Sequence, residues 1–151
     1  MLARRMTELT RKLQFALDID GDWPPISSET VWCDLVGTAF RLRNAPFFIK
    51  GLAVNDIFEA EPDPVNGHIF EFEVIEPSEH SLIWILNNTQ ADADPTLSQL
   101  RDIGCSIEGL QRFSLYAVDV PPHVPEQELN TLLDTAESAG FDLAFPVWRR
   151  S

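Results

Sequence analysis

The stretch "PEQELNTLLDTAESAG", residues 125–140, carries the strongest helix signal in the chain. Pro125 suits a first helical turn, and the glutamates that follow it suit the positive end of the helix dipole. Leucine and alanine side chains recur along one side at helical spacing, and Gly140 is a typical stop signal. The stretch therefore predicts an amphipathic helix with one buried face near the end of the chain.

The segments on both sides of this helix predict how the second half of the chain folds. A shorter helix begins with a proline and ends at Gly104, and strand-like patterns separate and flank the two helices. From residue 81 onward the order is βαββαβ, which is typical of the ferredoxin-like fold. The predicted elements are strands at 81–88, 105–110, 112–122 and 141–148 and helices at 94–104 and 125–140. Pro146 marks the last strand as an edge strand.

The first half of the chain predicts short strands joined by tight turns. Its strands are expected at 12–19, 29–37, 38–44, 55–62 and 69–77. Gly37 lies in a short turn, so the second and third strands are expected to form a hairpin. The sequence therefore predicts an α+β protein in which an N-terminal antiparallel β-sheet or small barrel packs on a ferredoxin-like half. The predicted divisions are an N-terminal extension at 1–11, a barrel-like subdomain at 12–80 and a ferredoxin-like subdomain at 81–151.

The charge balance restricts the partners. Among 151 residues, 24 are acidic and 11 are Lys or Arg, which gives a formal net charge of -13. Nucleic acids and anionic membranes require basic surface, so both are disfavoured, whereas a basic protein partner stays open. Neither a membrane-length apolar run nor a secretory leader is recognised, and Cys33 and Cys105 are expected to be reduced and not joined. These features predict a cytoplasmic protein.

The acidic residues concentrate where basic ones are missing. No Lys or Arg occurs between Gly51 and Leu100, and two predicted strands in that segment flank a turn. Pairing about the centre of the turn places Glu59 opposite Glu71, and like charges opposed across a ladder are destabilising. The candidate partner-binding residues are Glu59, Glu61, Glu71 and Glu73. Either Arg41 and Arg43 neutralise them internally or a basic protein does so; a calcium site lacks an EF-hand-like spacing.

The stretch "FRLRNAPFFIK", residues 40–50, begins as a strand and is interrupted before two phenylalanines. We expect Phe47 and Phe48 to be largely buried at the seam between the two halves, because aromatic rings of this size dominate core energetics. The alternative is a small apolar ligand pocket at that seam. The pocket candidates are Asn44, His80, Trp32 and Trp84.

Catalytic candidates are weak. His80 is flanked by Ser78 and Ser81, so a Ser–His dyad is conceivable, with Cys33 or Asp34 as its third member. A triad is recognised by geometry, and no fixed spacing supports this one. Hydrolysis is therefore an alternative to binding rather than the favoured function.

Metal, cofactor and nucleotide sites have no sequence support. His68 and His80 and the two cysteines do not stand at zinc-binding spacings, so no metal is predicted. Glycine-rich nucleotide motifs are missing, so no cofactor is predicted either. Cys105 follows a predicted helix end, which disfavours a thiolate, and a buried structural cysteine is expected there.

A string of motifs resembles a bacterial family of unknown function, the domain-of-unknown-function family numbered 4265. The motifs are "ETVWCDLVGTAFRLRNAPFFIKGLAVNDIFEAEP", "VIEPSEHSLIWIL", "LRDIGCSIEG" and "YAVDVPP", across roughly residues 29 to 140. The chain departs from the family pattern at two positions. Asn55 stands where the family has glycine, and Glu79 stands where the family has glycine before the histidine. The resemblance implies an architecture and a bacterial source and no reaction. The favoured function is thus a non-catalytic binding module that engages a basic protein through acidic surface.

Overall fold

A computed structural model describes residues 10–150, and the chain divides between Ser78 and Glu79 into two units. Within these residues the structure is mixed α and β, with two helices and two antiparallel sheets of five and four strands. None of the helices in this part of the chain is long and apolar enough to cross a membrane.

The first unit is an antiparallel meander in which each strand pairs with the next. Its strands are β1 (Thr10–Ala16), β2 (Ser28–Val36), β3 (Ala39–Leu42), β4 (Ile57–Ala60) and β5 (Phe72–Glu76). β2 and β3 form the predicted hairpin. The Ala16 N–H donates to the Ile69 carbonyl at 2.8 Å, and the Ile69 N–H donates to the Gln14 carbonyl at 2.8 Å. The segment that leads into β5 therefore meets β1, the opposite end of the sheet.

The core of the first unit lies on one face of this sheet. Alternating apolar positions supply it, because successive side chains of a strand project to opposite faces. Phe15 and Phe58 lie 5.9 Å apart between ring centroids, and Phe72 contacts both rings at their edges. Leu42 and Leu52 are fully buried beside them. This aromatic cluster positions β4 and β5, whose opposite face carries the glutamates.

The interrupted strand is held by backbone groups of β2. The Trp32 carbonyl accepts the Arg43 N–H at 2.9 Å, and the Trp32 N–H donates to Asn44 Oδ1 at 2.7 Å. The Asn44 side chain thus continues the pairing of β2 and β3 where the regular ladder ends. The following turn of chain, including Phe48, packs inward, whereas Phe47 is half-buried. The expectation of burial is confirmed for Phe48, and Phe47 is less buried than Phe48.

The second unit has the predicted order of strands and helices. Its elements are β6 (Ser81–Leu86), α1 (Asp94–Asp102), β7 (Ser106–Leu110), a 3-10 turn (Gln111–Phe113), β8 (Leu115–Val120), α2 (Glu126–Ser138) and β9 (Asp142–Val147). The antiparallel sheet has the order β7-β8-β6-β9, so β9 is an edge strand, as Pro146 predicted. Apolar stripes of the helices, with Leu100 and Leu129 fully buried, pack with β6 and β8 in one core.

A bulge interrupts the pairing of β9 with β6. Leu82 pairs with Val147 and Trp84 pairs with Ala144, so two steps along β6 correspond to three along β9. The extra residue lies beside Pro146, which has no N–H to donate to a ladder. Such an insertion bends the strand and redirects the side chains next to it.

Candidate functional site

The four partner-binding candidates, Glu59, Glu61, Glu71 and Glu73, are exposed on β4, on β5 and on the segment that joins them. β4 and β5 pair antiparallel, and Glu59 is paired with Glu73. The predicted pairing of Glu59 with Glu71 is therefore wrong, because the ladder is centred on Asn66, one residue later than expected. Asp63 organises this turn: its Oδ1 accepts the Val65 N–H at 2.8 Å, and its carbonyl accepts the Gly67 N–H at 2.7 Å.

The arginines do not neutralise these glutamates. Arg43 forms a 2.8 Å ion pair with Asp34 on β2, and Arg41 forms no ion pair or side-chain hydrogen bond with any residue between 10 and 150. In the same part of the chain none of the four glutamate carboxylates forms a hydrogen bond or an ion pair. Directly opposed side chains in a ladder have Cβ atoms about 4.5–5.5 Å apart, so Glu59 and Glu73 repel each other across it.

The glutamates line an open depression with a volume of about 810 Å³. We call it the acidic depression; its lining residues are Thr38, Glu59, Ala60, Glu61, Phe70, Glu71, Phe72 and Glu73. The Phe70 side chain is 61% exposed, because it lies just before β5 and outside the core. The surface therefore combines four negative charges with one exposed aromatic ring.

A second polar feature pairs the imidazole of His80, just before β6, with Asp119 on β8. His80 Nδ1 lies 2.7 Å from Asp119 Oδ1, and Asp119 is buried in an otherwise apolar strand. Burial raises the pKa of the Asp119 carboxyl above its ordinary value, and the hydrogen bond and charge of His80 oppose that shift. The pair fixes the orientation of the imidazole ring.

The nucleophiles proposed for His80 are engaged elsewhere. The Ser78 hydroxyl donates to the Val54 carbonyl at 2.7 Å, and Ser81, fully buried, accepts the Arg149 N–H at 2.9 Å through its Oγ. Cys33 lies in the core of the first unit, whereas His80 belongs to the second unit. The His80 partner in the structure is Asp119, which the sequence-based triad did not include.

Both thiols are buried, and they are not joined, as predicted. Burial, followed by the nearby Asp34 charge, raises the pKa of Cys33 to about 12. Burial also raises the pKa of Cys105 to about 12, with Asp119 adding to the shift and Arg150 opposing it. Because the thiolate is the nucleophile, neither cysteine is activated for catalysis. The prediction that Cys105 is a buried structural residue is confirmed, and burial is the main cause of its raised pKa.

The four pocket candidates are divided between the units. Asn44 and Trp32 belong to the first unit, where Asn44 bonds the backbone and the Trp32 ring lies 5.1 Å from the Lys12 ammonium. Trp84 is buried in β6, in the same unit as His80. A pocket common to all four residues stays a prediction. Between residues 10 and 150, no three His, Cys, Asp or Glu side chains are grouped to hold a metal ion.

These features define an α+β protein of two antiparallel sheets that carries an acidic depression. The chain belongs to the family described as "Domain of unknown function (DUF4265)", whose model matches residues 29–143. A similar solved structure is described as "Novel crystal structure of a hypothetical protein from Neisseria gonorrhoeae". It is 20% identical, covers 93% of this chain and 98% of its own, and has a TM-score of 0.73, which shows the fold alone. Among curated proteins no match is found.

Two site features were missed from the sequence. Asp119 stands in "YAVDVPP", and a charged residue inside an apolar strand was the signal that a partner had to be found for it. Phe70 alternates with Glu71 in the predicted strand at 69–77, which would place it on the apolar face, but alternation predicts burial only within the strand, and β5 begins at Phe72. The register of the turn decides the pairing of the glutamates, and the start of β5 decides the exposure of Phe70.

Proposed function

We propose that this protein is a non-catalytic bacterial binding module that engages a basic segment of a protein partner at the acidic depression. The observation that supports this proposal is the pairing of Glu59 with Glu73 while neither carboxylate has a partner between residues 10 and 150. Opposed like charges destabilise a ladder unless something compensates them. A Lys- or Arg-rich segment would supply the missing positive charge.

Phe70 adds a second kind of contact to the proposed surface. Its exposed ring stands among the carboxylates, where it can stack on the guanidinium of a bound Arg or on the alkyl part of a Lys. Aromatic residues are enriched at interfaces because they contribute large contact area. Hydrolysis has less support, because the Ser78 hydroxyl and the two thiols are not activated.

The test uses a fluorescent Lys- and Arg-rich peptide and the triple variant Glu59→Gln, Glu71→Gln, Glu73→Gln. The wild type is expected to bind the peptide in a salt-sensitive manner, and the variant is expected to lose binding, as measured by fluorescence anisotropy. The variant should also melt at a higher temperature, because removing the Glu59–Glu73 repulsion stabilises the ladder by about 0.2–1 kcal/mol.

A matched control removes three negative charges from the same unit. Asp18, Asp20 and Asp22 are exposed carboxylates that do not line the depression, and Asn at all three positions should leave peptide affinity close to that of the wild type. Equal binding by the glutamate variant and the wild type would end the proposal. An equal loss in both triple variants would mean that net charge alone attracts the peptide, which also contradicts a specific surface.

We infer the fold type of each subdomain and the cellular location of the protein from separate observations. A ferredoxin-like subdomain at 81–151 is supported by the βαββαβ order and by the strand order β7-β8-β6-β9. A barrel-like subdomain at 12–80 is supported by the hydrogen bonds that link Ile69 to β1. The two unjoined thiols support a reducing compartment, the cytoplasm, as the place where the partner is met.

A further inference from the structure

Two exposed aromatic side chains meet at the edge of the second unit. The ring centroids of Phe145 and Trp148 are 5.3 Å apart, and the rings are nearly perpendicular at 86°. Both residues are exposed to solvent, Phe145 by 46% and Trp148 by 39%. In a regular strand, residues three apart project to opposite faces. The bulge in β9 supplies the extra residue that lets these two rings share one side.

One stripe of α2 lies across from the aromatic pair. The stripe residues are Asn130, Leu133, Asp134 and Glu137, whose spacing places them on the same face of the helix. Together with the two rings they line an open cavity of about 680 Å³. The lining includes two carboxylates and two aromatic rings, and none of the six residues is basic.

We propose that this cavity, the aromatic pocket, binds a small organic cation of the quaternary ammonium class. Aromatic faces attract cations through the ring quadrupole, and both rings of this pair line the cavity. Asp134 and Glu137 add the attraction of full negative charges. An alkylated ammonium suits the two aromatic walls because it loses its water more readily than a primary ammonium.

The pocket and the acidic depression share no residue, because the depression is lined by the first unit and all six pocket residues belong to the second. The cation is attracted by two exposed aromatic rings here, whereas the depression offers four carboxylates and a single exposed ring. An experiment that contradicts the proposal for one site therefore leaves the proposal for the other site intact.

The test compares choline with 3,3-dimethylbutan-1-ol, which has the same shape and no charge. The full chain is titrated with each compound while the indole N–H of Trp148 is followed by NMR, its signal assigned from Trp148→Phe. Choline should shift that signal saturably, and the neutral compound should bind at least about tenfold more weakly, because it gains neither the cation–π nor the ionic attraction.

Variants separate the two walls of the pocket. Phe145→Ala and the pair Asp134→Asn, Glu137→Gln should each weaken choline binding by about fivefold or more. Trp32→Phe, at an exposed ring of the first unit, and Asp102→Asn, at an exposed helix carboxylate, should leave it unchanged. If Phe145→Ala does not fold, choline binding by the double variant Asp134→Asn, Glu137→Gln decides.

Three binding results would overturn the assignment. They are equal binding of the neutral compound, no saturable shift with choline, and choline binding that neither pocket variant weakens. Self-association of the wild type that Phe145→Ala abolishes would instead assign the rings to a second copy of the chain.

Discussion

Two buried carboxylates hold the loops of the first unit by accepting backbone N–H groups. Glu29 accepts Phe47 N–H at 2.6 Å and Phe48 N–H at 2.8 Å, one at each oxygen. Asp56, fully buried, accepts Ala53 N–H at 2.9 Å and Ser78 N–H at 2.7 Å in the same manner. An unpaired N–H in a protein interior costs free energy, so each carboxylate satisfies two donors that no strand partner satisfies.

The first prediction concerns Glu29→Gln. An amide offers one acceptor oxygen and places an NH₂ group against one of the two backbone donors, so one buried N–H loses its partner. The free energy of unfolding should fall by about 1–3 kcal/mol in urea denaturation. Glu79→Gln, at an exposed position, is the control and should change stability by less than about 0.5 kcal/mol. A Glu29→Gln protein as stable as that control would contradict the anchoring role.

The second prediction concerns the pH dependence that Asp119 introduces. Burial raises its native pKa, so the native carboxyl holds its proton more tightly than the unfolded one, which titrates at about pH 3.9. The stability that Asp119 contributes is therefore complete below that pH and is lost as pH rises through the higher native pKa. Urea unfolding from acid to neutral pH should show this decline in the wild type and not in Asp119→Asn.

A carbon-13 NMR titration of the Asp119 carboxyl checks the cause. The midpoint should lie above the ordinary Asp value and should rise further in His80→Asn, because the imidazole lowers the pKa of Asp119 in the wild type. A midpoint that falls in His80→Asn would show that the hydrogen bond does not favour the ionised carboxylate.

At the level of elements, the sequence predicted types and order well and pairing less well. The predicted helix at 125–140 is α2, and the predicted strand at 141–148 is β9, each within two residues of its bounds. Periodicity and stop signals are local, so one sequence suffices to read them. The Glu59–Glu73 register depends on how Asp63 closes a turn, and the pairing of His80 with Asp119 joins residues far apart in the chain.

The third prediction compares the two phenylalanines of the interrupted strand. Phe48 is buried and its ring lies 5.6 Å from that of Trp23, whereas Phe47 is half-buried. Phe48→Ala should lower the free energy of unfolding by about 3–5 kcal/mol, the range for a core phenylalanine. Phe47→Ala should cost clearly less, because it removes less buried area. Urea melts of both variants decide, and equal losses would contradict the difference in burial.

On the scale of the whole molecule, each unit has its own apolar cluster, and acidic residues far outnumber basic ones. A net charge of -13 produces a field that attracts any basic partner before contact, whereas the acidic depression acts at contact. Long-range attraction changes association rates, and local contacts change dissociation rates. The two effects can therefore be separated kinetically.

The fourth prediction uses the two triple variants for that separation. Both carry three fewer negative charges than the wild type, so both should bind the basic peptide with a similar, modest decrease in association rate at low salt. Only the Gln variant at Glu59, Glu71 and Glu73 should also dissociate faster, because it alone lacks the contacts. Stopped-flow fluorescence measures both rates, and unchanged dissociation in that variant would contradict local recognition.

The segment without Lys or Arg has a consequence for proteolysis. Trypsin cleaves after Lys and Arg, so a complete digest leaves one fragment from Gly51 to Arg101. That fragment contains β4, β5 and the division between Ser78 and Glu79, so trypsin cannot report whether the chain opens there. A protease that cleaves after Glu has a site at Glu79, whereas at Glu76 the following Pro77 blocks it. A glutamate-specific protease can therefore cleave at the division between the two units, whereas trypsin cannot.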